Sequence, residues 1–306
     1  MEFILLIISF LIFYSDQAIL SYGDDTFNGS RPCIVNLTNN NNVGHIYGNV
    51  LPAVFAAPYC STFIKKKAFG SPLLKIMREL NFPFTLIDGP KFDSSTMESR
   101  SGSGFYYGKG FSTLKTKIAE YISSSCACDK EMYNITVFNR RTRGLNNYPR
   151  LLRSLENEGL GPIRYYDSTI QDRQCWYFCK YTTSRLVISV YGAESIYPFL
   201  LNTSFISVAY EGISDQFVNK IRRSYYSSQH PLMRQVLVKA SIVEEYYTST
   251  CVKFWKNYSL YLQSLLAGQK PSPHLHKCIS LYLDDKVIAD IIRYAKGILS
   301  PTKNKT

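Results

Sequence analysis

The alternation of apolar runs with amphipathic stretches in the second half of this chain constrains its fold more than any other feature. Strand-like runs of β-branched and aromatic residues at residues 135–138 and 163–167 precede helical patterns at residues 148–158 and 169–181. Residues 185–210 then read as a strand, a tight turn, a short helix and another strand. Such alternation is typical of a parallel sheet covered by helices. The sequence therefore predicts an α/β protein.

The N-terminus resembles an export signal rather than part of a folded domain. Residues 1–14 are almost uniformly apolar but too few to cross a bilayer comfortably, so residues 1–22 are interpreted as a signal peptide, with an uncleaved signal anchor as the alternative. Residues 23–42 are polar and Asn-rich and are expected to form a lead-in. Export directs the chain to the lumen of the endoplasmic reticulum or Golgi, anchored there or secreted.

Two domains are expected in the remainder of the 306 residues. The N-terminal α/β domain spans residues 43–128, and the C-terminal domain spans residues 129–306. In the first domain we expect helices at residues 71–81 and 112–123, strands at residues 84–87 and 105–107, and a Ser/Gly-rich loop at residues 94–104. Beyond residue 215 the chain is expected to become helical.

The cysteines and glycosylation sequons agree with an oxidising compartment. Eight cysteines are an even number, and disulfides are the expectation for an exported chain. A four-thiolate metal site made by Cys126, Cys128, Cys175 and Cys179 is the disfavoured alternative, and no metal is expected. Six N-x-S/T sequons lie at Asn28, Asn36, Asn134, Asn202, Asn257 and Asn304.

The formal net charge of +12 does not by itself indicate nucleic acid. Lysines and arginines are scattered among apolar residues, and the sequence has no nucleic-acid recognition motif. Basic surface in an exported chain more often meets nucleotides or anionic glycans. We therefore expect no nucleic-acid partner.

Two loops are predicted to share the carboxyl rim of the parallel sheet, where ligands bind in open α/β folds. The loop NRRTRGLNN carries Arg140, Arg141 and Arg143, and its Asn147 is positioned to cap the next helix. The turn Tyr191-Gly192-Ala193-Glu194 follows a later strand, before a helix that Ser195 can cap. Guanidinium groups and free backbone N–H groups can hold a diphosphate. A solvated basic loop and a closely packed turn are the alternatives.

These segments resemble glycosyltransferase family sixty-one, which includes EGF-domain and O-mannose N-acetylglucosaminyltransferases and plant xylan xylosyl- and arabinosyltransferases. The resemblance rests on NNVGHIYGNVLPAVF, on FNRRTRGLNN and on SVYGAESIYPFLLNTSFISVAYE, in the family's order over residues 42–210. The resemblance implies a GT-B architecture, two Rossmann-like domains facing across a cleft, here with extra C-terminal helices. It also implies inverting, metal-independent transfer of a sugar from a UDP-sugar donor to a glycoprotein or glycan acceptor, with no cofactor.

The resemblance also assigns roles to individual residues. His45 is the first choice of general base because it stands at the family's motif position and imidazole titrates near neutral pH; capping or packing is the alternative. Asp88 and Asp93 are alternative bases. Glu211 is positioned to bind ribose hydroxyls, or else to cap a helix or lie on the surface. The donor-binding set is Arg140, Arg141, Arg143, Asn147, Tyr191, Gly192, Ala193, Glu194 and Glu211.

One departure from the family bears on activity. Tyr191 stands where the family usually has histidine, and a tyrosine can donate a hydrogen bond to phosphate but cannot carry a positive charge. A catalytically weak or inactive relative that binds glycan or a partner enzyme in the lumen is therefore the alternative function.

Overall fold

A computed structural model of the chain divides it into two compact units, residues 1–125 with 221–229 and residues 126–220 with 230–306. The division after Ser125 lies three residues before the boundary expected at residue 128. The described residues are 33–37, 47, 51, 61–65, 72–82, 85–87, 98–99, 107–140, 144–168, 174–210, 235–244, 249–256 and 278–300.

The first unit contains a four-stranded parallel sheet. Its order is β3-β2-β1-β4, with β1 at Cys33–Leu37, β2 at Ser61–Lys65, β3 at Thr85–Ile87 and β4 at Glu98–Ser99. The described residues of this unit also form helices α1 at Pro72–Glu79 and α2 at Tyr107–Ser125. Their apolar faces are buried through Leu73, Leu74, Ile76 and Met77 of α1 and through Leu114 and Ile118 of α2.

Two local predictions for this unit were wrong. Tyr107 is the first residue of α2, although residues 105–107 were predicted to form a strand. Each residue added to an established helix gains a hydrogen bond, and this gain outweighs the strand preference of a short aromatic run. The Ser/Gly-rich stretch predicted as a loop contains β4, which pairs with Cys33 and Ile34 of β1. A strand of two residues is too short to show the alternating apolar pattern by which strands are recognised in a sequence.

The second unit is built on a seven-stranded sheet in the order β6-β11-β10-β9-β8-β5-β7. Only the contact between β10 and β11 is antiparallel among these described strands. The mostly parallel α/β class expected from the sequence is thereby confirmed. The strands are β5 at Tyr133–Arg140, β6 at Leu145–Asn146, β7 at Ile163–Ser168, β8 at Ser184–Val190, β9 at Ser204–Tyr210, β10 at Gln235–Glu244 and β11 at Ile279–Tyr282.

Helices cover both faces of this sheet. On one face, α3 (Tyr148–Asn157) and α7 (Asp285–Leu299) pack their apolar sides against Ile135, Val137, Ile188 and their neighbours. On the other face lie α4 (Gln174–Thr182) and α5 (Ile196–Leu201), where the rings of Phe138 and Tyr181 stack 4.9 Å apart. Burial on both faces explains the nearly continuous apolar runs of β8 and β9.

The C-terminal part is less helical than the sequence suggested. Gln235–Glu244 forms β10 between β9 and β11, and Ile279–Tyr282 forms β11, although α6 (Ser249–Lys256) and α7 are helical. The Leu, Lys, Ala and Glu of this stretch favour helix, but pairing with two neighbouring strands outweighs that local preference.

Three disulfides lie in the second unit: Cys126–Cys175, Cys128–Cys179 and Cys251–Cys278. The expectation of disulfides is confirmed for these pairs, and the four-thiolate alternative is wrong because all four of its sulfurs are bonded in pairs. Two of the bridges join the chain just after Ser125 to α4. Structural disulfides are formed in oxidising compartments, which fits a lumenal or extracellular environment.

The structure offers no candidate for a membrane span within its described residues, since none of their helices is both long and apolar enough. The apolar residues 1–14, on which the signal or anchor interpretation rests, lie outside that part of the chain.

Candidate functional site

The strand order identifies one place in the second unit where a ligand crevice is expected. From β5 the chain crosses one face of the sheet through α3 to reach β7, whereas from β8 it crosses the other face through α5 to reach β9. The two connections leave neighbouring strands in opposite directions. Beyond the carboxyl ends of such strands the loops separate and leave a crevice, the topological switch point of doubly wound sheets.

Arg140 and Glu194 meet at this switch point. Arg140 is the last residue of β5, and Glu194 lies in a short 3₁₀ helix, Ala193–Ser195, that follows β8. Nε of Arg140 donates to Oε2 of Glu194 at 3.2 Å, and Nη2 lies 3.1 Å from the same oxygen in the ion pair. The two side chains are only 14% and 17% exposed. The pair therefore compensates two opposite charges in a partly dehydrated position.

Asn139 and Gly144 define the base of the arginine loop. Asn139 Oδ1 accepts hydrogen bonds from the backbone N–H groups of Arg140 and Leu145, at 2.8 and 2.6 Å, so one side-chain oxygen holds both ends of the loop. Its Nδ2 donates to the hydroxyl of Tyr165. A Cβ on Gly144 would lie 2.5 Å from the carbonyl oxygen of Arg140, which requires glycine here.

The turn after β8 is closed by its own serine. The backbone N–H of Gly192 donates to Ser195 Oγ at 3.3 Å, and the backbone N–H of Ser195 donates to the Gly192 carbonyl at 3.0 Å. Tyr191 N–H donates to the carbonyl of Val208 on β9. Ser195 was expected to cap α5; it occupies the N-cap position, but its side chain makes no capping hydrogen bond.

Asn147 likewise differs from its expected role as a capping side chain. It precedes α3 in the left-handed conformation, with φ of 66°, and makes no side-chain cap. Its Nδ2 instead donates to the carbonyl of Leu283 at 3.3 Å, which joins the arginine loop to the chain just before α7. Asn147 thus contributes to the position of this loop.

Beneath the Arg140–Glu194 pair the sheet face carries buried polar groups. Burial raises the pKa of the Tyr181 hydroxyl well above its ordinary value, the negative charge of Glu194 raises it further, and Arg140 lowers it. Ser189 and Ser207 are opposite each other on β8 and β9, with exposures of 2% and 0% and with no hydrogen-bond partner for either Oγ. Polar atoms of this kind are unusual in a sheet core.

The described residues include part of the predicted site. Arg140 and Glu194 are in direct contact, Gly192 and Ala193 belong to the same turn, and Tyr191 follows β8 next to them. Asn147 is described above, whereas the expected bases and the other predicted donor-binding residues lie outside the described part of the chain: His45, Asp88, Asp93, Arg141, Arg143 and Glu211.

Sequence reasoning missed several contributors to this region. Asn139 had a usable signal, since an asparagine at a strand end before a glycine-containing loop often binds its own backbone. Tyr181, Ser189 and Ser207 had none, because their proximity to the site depends on which strands are neighbours. The mutual pairing of Arg140 with Glu194 was missed for the same reason.

No family model and no curated protein matches this chain. The resemblance to glycosyltransferase family sixty-one therefore depends on the motifs described above.

Proposed function

We propose that this chain is an inverting, metal-independent glycosyltransferase of the secretory pathway. It transfers GlcNAc or a pentose from a UDP-sugar to a hydroxyl of a glycoprotein or glycan. One observation carries the proposal: the arginine loop and the Gly192-Ala193 turn, which belong to separate motifs of the resemblance, come together at the switch point of a doubly wound sheet. The disulfides agree with this compartment.

In the proposed mechanism, as the resemblance implies, residues 129–306 hold the donor and residues 43–128 supply the acceptor side. Arg140, with Arg141 and Arg143, neutralises the diphosphate of the leaving UDP, which a metal ion does in other glycosyltransferases. His45 takes the proton of the acceptor hydroxyl as that oxygen attacks the anomeric carbon. Glu211 contacts the ribose.

Donor binding is tested by thermal shift of the purified lumenal chain with UDP, UDP-GlcNAc, UDP-xylose and UDP-arabinose. A ligand present at a hundred times its Kd adds about 2.7 kcal/mol to the free energy of unfolding, so binding is readily detected. Arg140→Gln should reduce the stabilisation by UDP but not by uridine. Arg293→Gln is the matched control, because Arg293 is paired with Asp290 on the exposed side of α7. The absence of a shift with all four ligands would refute the proposal.

A second candidate, a catalytically inactive relative that binds glycan or a partner enzyme, is supported by two observations. Tyr191 replaces the family's histidine, and Arg140 is already compensated by Glu194. Slow hydrolysis of a donor separates the candidates: the enzyme hydrolyses the donor and loses this activity in His45→Ala. Donor binding without any hydrolysis, or hydrolysis that survives in His45→Ala, contradicts the catalytic assignment.

A further inference from the structure

Glu194 contacts the same N–H groups of Arg140 that a phosphate would contact. Nε–H and Nη2–H lie side by side on one edge of the guanidinium; Nε donates to Oε2 of Glu194, and Nη2 lies 3.1 Å from the same oxygen. Phosphate oxygens bind arginine through such parallel N–H groups. A diphosphate bound to this edge would therefore have to take the place of the Glu194 carboxylate.

We propose that Glu194 is an internal competitor of the donor diphosphate, whose carboxylate occupies the binding edge of Arg140 until the donor displaces it. The inference rests on the proposed function and adds to it a residue that sets donor affinity and product release. Glu194 lowers the affinity for the diphosphate, and it re-forms its pair with Arg140 as UDP leaves.

The surroundings of the pair allow a ligand to displace the Glu194 carboxylate from Arg140. The side chains of Arg140 and Glu194 are partly buried but reach solvent at the carboxyl rim, so a ligand can approach them. Glu194 is carried by a three-residue 3₁₀ helix that is outside the ladder of the sheet. Rotation of its side chain therefore breaks none of the strand hydrogen bonds between β5 and β8.

The environment of Arg140 indicates why its charge needs a compensating carboxylate when no ligand is bound. Tyr181 is fully buried against this position and supplies no negative charge to Arg140, because a tyrosine is uncharged at neutral pH and burial raises the pKa of this one further. An arginine cannot lose its proton to relieve its burial. Glu194 therefore supplies the negative charge that the donor diphosphate supplies when bound.

The test compares Glu194→Gln with Glu158→Gln by titration calorimetry, using UDP, inorganic pyrophosphate and uridine as probes. Gln keeps the shape of Glu194 but loses its charge, and we expect UDP and pyrophosphate to bind roughly fivefold to tenfold more tightly, with uridine unchanged. Glu158 is paired with Lys296 on the surface, so Glu158→Gln makes the same change in net charge and should leave all affinities unchanged.

The double variant Arg140→Gln/Glu194→Gln assigns the effect to the pair. Its affinity for UDP should equal that of Arg140→Gln alone, because Glu194 has nothing to compete for once the guanidinium is absent. If Glu194→Gln does not fold, Glu194→Asp should show a smaller gain, since the shorter side chain reaches Arg140 poorly. Melting temperatures without ligand identify a variant that is merely unstable.

The outcomes separate this inference from the proposed function. Binding of UDP to the wild type, with equal or weaker binding to Glu194→Gln, overturns the competitor role and leaves the donor site intact. A gain for pyrophosphate without any binding preference for UDP over pyrophosphate supports the competitor role but refutes a nucleotide-sugar site. The absence of phosphate binding in the wild type and in every variant overturns both.

Discussion

At the scale of single residues, the base of the arginine loop tolerates little change. Gly144 lies against the carbonyl of Arg140, and Asn139 binds the backbone N–H groups of Arg140 and Leu145. These contacts fix where β5 ends and hence where the Arg140 side chain begins. The geometry of the candidate site thus depends on two residues that carry no charge.

Replacement of Gly144 by alanine should destabilise the protein by about 2 kcal/mol, because the new Cβ would lie 2.5 Å from a backbone oxygen that cannot move without disturbing β5. Urea unfolding followed by circular dichroism measures the change. Gly297→Ala is the control: that glycine lies in α7, where an alanine methyl would meet nothing within 4 Å apart from its chain neighbours and the nearby backbone of its own helix, and alanine should stabilise by roughly 0.5–1 kcal/mol. Equal effects at both positions would contradict the steric argument.

The residue types of the site were predictable, but their pairing was not. Arg140 and Glu194 were both predicted to bind a ligand, since arginines at a strand end and residues of a small turn suit phosphate. They are 54 positions apart, and their contact depends on β5 and β8 being neighbours in register. No local pattern in one sequence encodes that pairing.

At the scale of elements, the sequence was reliable where apolar periodicity was long and uninterrupted. Apart from the two-residue β6, which was taken as part of the arginine loop, the strands and helices of residues 133–210 were predicted, because both faces of this sheet are covered and its strands read as apolar runs. β10 was mistaken for helix because its pairing with β9 and β11 outweighs the helix preference of its residues. Whether such a segment forms a helix or a strand depends on its neighbouring strands, which a local sequence pattern does not reveal.

The layer between α4 and the sheet should respond to alkaline pH through Tyr181. Burial raises the folded-state pKa of Tyr181, whereas in the unfolded chain a tyrosine ionises near pH 10. Above that pH the unfolded state loses a proton that the folded state keeps, so this contribution to stability, complete below about pH 10, declines as the pH rises.

Tyr181→Phe removes this proton linkage, so its stability should fall less steeply with pH than that of the wild type. The difference in slope should approach about 1.4 kcal/mol per pH unit, the value for one proton. Urea unfolding at pH 8, 10 and 11 measures both slopes. Parallel declines in the two proteins would mean that the Tyr181 hydroxyl ionises in the folded state as easily as in the unfolded chain.

At the scale of the whole molecule, the second unit is held together by contacts that are distant in sequence. Cys126 and Cys128, which follow the division between the units, are bonded to Cys175 and Cys179 of α4 across separations of 49 and 51 residues. The sequence predicted that the cysteines would pair, because residues 1–22 were interpreted as an export signal. The sequence did not predict which cysteines pair with each other, because the pairing depends on how α4 packs on the sheet.

The two neighbouring disulfides should stabilise the second unit non-additively. Either bridge alone closes a loop of about 50 residues, worth about 4 kcal/mol of unfolded-state entropy, whereas the second then closes only a short loop worth about 2 kcal/mol. Removal of one pair by Cys126→Ser/Cys175→Ser, or by Cys128→Ser/Cys179→Ser, should therefore cost about 2 kcal/mol, and removal of both about 6 kcal/mol. Urea unfolding of the three variants and the wild type provides the comparison. Additive losses would show that the two disulfides constrain independent parts of the unfolded chain. They would contradict the view that both disulfides restrict the same loop between residues 126–128 and α4.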